Sequence, residues 1–80
     1  MENNMNKLNV LKQAFDARID EVAGYQINID NYVLAIPLAE SDPDLVDFAA
    51  QLRSLLASEK LEQKKAKIML SVLEAQIGGS

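Results

Sequence analysis

The chain is 80 residues long, carries a formal net charge of −4, contains neither Cys nor His, and is 49% hydrophobic against 5% aromatic. That length allows one domain, and the missing residue types exclude a disulfide framework, thiolate metal sites and imidazole acid–base chemistry. The acidic balance argues against general affinity for nucleic acid, because phosphate binding draws on a surplus of Lys and Arg.

The opening "MENNMNKLNV" has neither a basic flank nor an apolar core of the signal-peptide kind, and no apolar run in the chain approaches the ~20 residues that span a bilayer. A cytoplasmic protein with no membrane partner is the expectation. With Leu8 at position a of a heptad, Leu8, Phe15, Val22, Ile29 and Ile36 all fall on a. Position d carries Leu11, Arg18, Tyr25, Tyr32 and Ala39, and Ile19 and Val33 widen the stripe. A stripe this broad predicts a bundle helix over residues 3–36 rather than a strict two-stranded coil.

One segment competes with that reading. In "GYQINIDNYVLAI", residues 24–36, apolar and polar side chains alternate up to an Asp30-Asn31 pair, as in a β-hairpin. The alternative architecture is α, β-hairpin, α, with strands near 25–29 and 32–36. The heptad stripe crosses the pair without changing phase, and an isolated two-stranded hairpin is marginal in water, so helix is preferred. Gly24 is then a kink or a point of close packing.

Pro37 predicts a bend or stop near residues 36–40, because it lacks an amide hydrogen and pushes Ile36 away from α geometry. A turn is expected over 37–42, with Ser41 or Asp42 capping a second helix, Pro43 in its first turn, and Asp44 and Asp47 near its N-terminal dipole. That helix is expected over 43–77, with 78–80 a flexible tail or an expression scar. Its apolar pattern breaks at "SEKLEQKKAK", a polar waist between Leu56 and Ile68.

The predicted fold is therefore all-α, a two-helix antiparallel hairpin that dimerises into a four-helix bundle. A turn centred on 40–42 would place Val22, Ile29, Val33 and Ile36 against Leu45, Phe48, Leu52 and Leu55. It would also bring Asp16, Asp20 and Glu21 alongside residues 61–66, so that the basic waist is neutralised by acids across the seam.

No phosphate loop, nucleophile elbow, metal spacing or Ser/His/Asp set occurs, so catalytic, cofactor-binding and metal residues are not expected. Glu40, Asp42, Asp44 and Asp47 lack the glycine and terminal Glu of a calcium loop, and capping accounts for three of them. The expected function is a non-enzymatic protein–protein interaction module: a homo-oligomer, dimer first, acting as an acidic adaptor, regulator or inhibitor of a larger protein. Tyr25, Tyr32, Ile68, Met69, Val72 and Leu73 are the expected oligomer or partner interface. Asp16, Asp20, Glu21, Asp30, Asp44 and Asp47 are the expected acidic surface, suited to a basic groove such as one built for nucleic acid. The rival reading is a small-ligand or nucleic-acid binder that uses Lys60, Lys64, Lys65 and Lys67 with Tyr25 and Tyr32 as stacking platforms, with Asn28 and Asn31 beside them.

Overall fold

A computed structural model describes residues 2–79, with side chains from Asn6 onward. Helix α1, Glu2–Glu40, and helix α2, Val46–Gly78, run antiparallel and are joined by Ser41, Asp42 and one 3-10 turn at Pro43–Leu45. The result is a rod of 65 × 14 × 14 Å, one helix pair thick.

Among the described residues there is no strand, so the all-α hairpin holds and the β-hairpin alternative for residues 24–36 is overturned. The unbroken stripe from Leu8 to Ile36 can bury one face against α2 only as a helix, and this outweighs the helix-disfavouring Tyr, Ile and Val of the segment. Gly24 sits mid-helix without a positive φ, and a Cβ there would meet nothing within 4 Å. It is therefore not a point of close packing within the hairpin, and it costs the helix about 1 kcal/mol relative to Ala.

Pro37 lies inside α1, which runs to Glu40 instead of stopping at 36. Pro37 cannot donate to the Val33 carbonyl, but both residues are on the solvent side, where water can substitute. The extra turn is held because Ala39 is buried with Ala49 and Leu52, and Tyr32, Ala35 and Ile36 pack against that cluster. The Ser41 amide still donates to the Pro37 carbonyl at 3.1 Å, and the Ser41 hydroxyl donates to Leu38 O at 2.8 Å.

Of the two candidate caps, Asp42 is used, but on the 3-10 turn: its Oδ1 accepts from the Asp44 amide at 2.9 Å ahead of Pro43, and α2 begins at Val46 instead of 43, behind Leu45, which makes no side-chain cap. At the other end α2 extends to Gly78, one residue into the stretch expected as a tail, the Gly79 amide donates to Ala75 O at 2.9 Å, and Ser80 lies outside the described residues.

The seam is narrow. Ile29, Ala39, Ala49, Leu52 and Ala66 are its buried apolar residues, joined by Gln63 at 8% exposure. The polar waist thus lies partly inside: Gln63 Nε2 donates to the Val22 carbonyl at 3.2 Å and to Gln26 Oε1 at 3.0 Å. Glu59 is half-buried, and its Oε2 is buried without a hydrogen-bond partner. The contacts of Gln63 with Val22 and Gln26, and of Arg53 with Glu40, fall between about three and eleven residues further along α2 than a turn centred on 40–42 would place them, about two helical turns on average. The 3-10 turn and the longer α1 move the centre of the hairpin towards residue 44.

Candidate functional site

With two helices in contact along their length, residues seven apart form rows beside the seam. On one side run Lys12, Ile19, Gln26, Val33 and Glu40 of α1, with Val46, Arg53, Lys60, Lys67 and Glu74 of α2. Two observations anchor this side. Arg53 Nη1 donates to Glu40 Oε2 at 2.9 Å, and Lys12, Asp16, Phe15, Glu74 and Ile77 line one shallow depression. It is the charged face of the rod, relieved by exposed Ile19 and Val33.

On the other side run Ala14, Glu21, Asn28 and Ala35 of α1, with Phe48, Leu55, Glu62 and Met69 of α2. Tyr25 and Tyr32 are half-buried on this side of the seam. Leu45, Phe48 and Leu55 remain 38%, 46% and 38% exposed, so of the four residues of α2 expected in the hairpin core only Leu52 lies there; Met69 is 43% exposed on the same side as Phe48. Val33, expected in the core, is 49% exposed for the same reason, because the seam accepts only the rows that point directly at the other helix. Glu21 and Glu62, the acids of this apolar side, are each engaged within their own helix: Arg18 Nη1 donates to Glu21 Oε1 at 3.0 Å and Lys65 Nζ to Glu62 Oε1 at 3.1 Å.

The residues expected at an interface are thus distributed as follows. Tyr25, Tyr32 and Leu73 are half-buried, Met69 and Val72 are exposed on the side of the tyrosines, and Ile68 is exposed on the outer surface of α2. A depression beside Tyr25 is lined by Glu21, Gly24, Ile27 and Asn28, and it exists because Gly24 has no side chain. Gly24, Asn28 and Tyr32 follow one another at four-residue steps along α1, the spacing that links the glycine to a tyrosine.

Of the expected acidic surface, Asp16, Asp20, Glu21, Asp30, Asp44 and Asp47 are all exposed. They do not converge. Asp16 and Asp20 are one turn apart on α1, whereas Asp44 and Asp47 lie at the turn, about 40 Å away along the rod at 1.5 Å per residue. Asp30 accepts from Gln26 Nε2 at 2.9 Å. Asp16, Asp20 and Glu21 form no ion pair with residues 61–66: Glu21 pairs with Arg18, and Gln63 reaches the neighbouring Val22 carbonyl. Among the described residues the ion pair between the helices is Arg53–Glu40, and the other two, Arg18–Glu21 and Lys65–Glu62, are within a helix. Lys60, Lys64 and Lys67 form no ion pair with a described residue. The rows set Lys60 and Lys67 on the side of the rod opposite Tyr25 and Tyr32, whereas Lys65 donates to Glu62 on the tyrosine side.

No group of three or more acidic side chains among the described residues is arranged to hold a metal ion, and no helix there is long and apolar enough to cross a membrane. No family model, curated protein or solved structure matches the chain.

Proposed function

We propose that the protein is a non-enzymatic protein–protein interaction module that works as a self-associated helical hairpin, most simply a dimer closing a four-helix bundle. The observation that carries this reading is surface. The chain exposes 5954 Å², roughly 1,200 Å² more than the ~4,800 Å² expected of a folded monomer of 8.8 kDa. A stable interface removes about 800 Å² from each partner, so one face-to-face contact would remove most of that excess. Of the large apolar side chains described, Ile29 and Leu52 are the buried ones, while Phe48, Met69 and Val72 stand among those left in water. A hairpin with so small a seam gains its missing burial from another chain.

The acids on the outside of such a bundle, Asp16, Asp20 and Asp30 on α1 with Asp44 and Asp47 at the turn, then face a larger partner with a basic surface. The module is accordingly read as an acidic adaptor, regulator or inhibitor, with a nucleic-acid-binding groove as one fitting target. Multi-angle light scattering over a concentration series tests the assembled state. A dimer is expected, and a monomer at micromolar concentration with a sharp thermal transition refutes the reading.

A further inference from the structure

We propose that a second copy of the chain docks on the tyrosine side of the rod, with the two α1 helices antiparallel and Tyr32 of each copy seated in the depression at Gly24 of the other. This rests on the self-association proposed above and names the face, the direction and the axis. The faces are unlike. The side with Arg53, Lys60, Lys67 and Lys12 is charged and suits water, whereas the side with Phe48, Leu55 and Met69 is apolar and its acids are already paired within their helices. Desolvating the second face strands fewer charges.

Gly24 supplies the shape. Within the hairpin nothing approaches the position where its Cβ would stand, and no positive φ calls for glycine there. At Gly24 an open hollow lies beside Tyr25 and Asn28, and Tyr32, two turns further along α1, is half-buried and keeps part of its side chain in solvent. Gly24 and Tyr32 are eight residues apart, about 12 Å along the helix. A two-fold axis through Asn28, midway between them, places each Tyr32 over the other copy's Gly24 in one operation, which gives a closed, isologous contact. Asn28 then meets its own counterpart, and an amide side chain carries both the donor and the acceptor that such a self-pair requires. One such contact, at about 800 Å² per partner, removes most of the excess surface.

The test uses the cysteine-free background of the full chain. Gly24→Leu fills the hollow with a better helix former whose Cβ meets no atom of its own chain within 4 Å, so it is expected to keep full helicity by circular dichroism while dimer dissociation rises at least about tenfold in sedimentation velocity. Asn28→Cys is expected to form a disulfide-linked dimer under mild oxidation faster than Lys60→Cys on the charged face. An unmodified chain that is dimeric, with Gly24→Leu dimerising equally well or Lys60→Cys cross-linking as fast as Asn28→Cys, overturns this docking mode and leaves self-association standing. A chain monomeric at all concentrations overturns both.

Discussion

Replacing Ile29 by Ala probes the seam at one of its two buried large side chains. Ile29 is 6% exposed and lies in the central apolar row of α1, so truncation leaves a gap facing α2. Core Ile→Ala changes cost about 2–5 kcal/mol, the low end applying where the surroundings can close in. A rod one helix pair thick has solvent near both sides of its seam, so α2 can settle toward the gap, and about 2–3 kcal/mol is expected before alanine's helix propensity returns a few tenths. A chain of 80 residues has a total stability of about 4–12 kcal/mol, so this is a large share. Leu34→Ala is the comparator on the same helix: at 71% exposure it loses little burial and is expected to cost less than about 0.5 kcal/mol. Urea denaturation followed by circular dichroism, at two protein concentrations so that association is seen separately, measures both. Equal losses for the two variants, or a loss below about 1 kcal/mol at Ile29, would refute the assigned seam and the register with it.

Three further substitutions follow from the same geometry. Pro37→Ala restores an amide that can reach Val33 O within α1 and should raise the melting temperature by several degrees, corresponding to about 1–2 kcal/mol; a fall would mean that the helix does not run through to Glu40. Asp42→Ala removes the acceptor for the Asp44 amide and should cost about 1 kcal/mol in denaturant titration, with Asp42→Asn retaining most of it. Glu59→Leu replaces a side chain whose Oε2 is buried without a partner and should stabilise the hairpin by about 1 kcal/mol, and a lower melting temperature would show that the carboxylate is satisfied in solution.

How much of this was legible beforehand depends on whether a feature is local. The heptad from Leu8 to Ile36 specified the helix across residues 24–36, because a row of apolar side chains seven apart has one consistent backbone solution. The Asp42-Pro43 restart was equally legible, since a capping carboxylate and a proline at the first turn act within three residues of themselves. Tyr25 and Tyr32 could be placed on one side of α1 from their spacing alone.

Helical spacing specifies an angle around each axis and says nothing of how far one helix slides along the other. The length of the turn decides the slide, and here Pro37 stays inside α1 and a 3-10 turn is added, so the axial match moved by nearly two turns. Asp16, Asp20 and Glu21 form no ion pair with the waist lysines, and Gln63 enters the seam, where the Val22 carbonyl and Gln26 meet its side-chain amide. Phe48 and Val33 stand at the edges because their rows point beside the seam and not into it. The sequence by itself determined which residues share a side of each helix. Only the tertiary structure decided which side of one helix stands beside which side of the other, because a hairpin buries a single narrow strip per helix and every remaining row takes its environment from that choice.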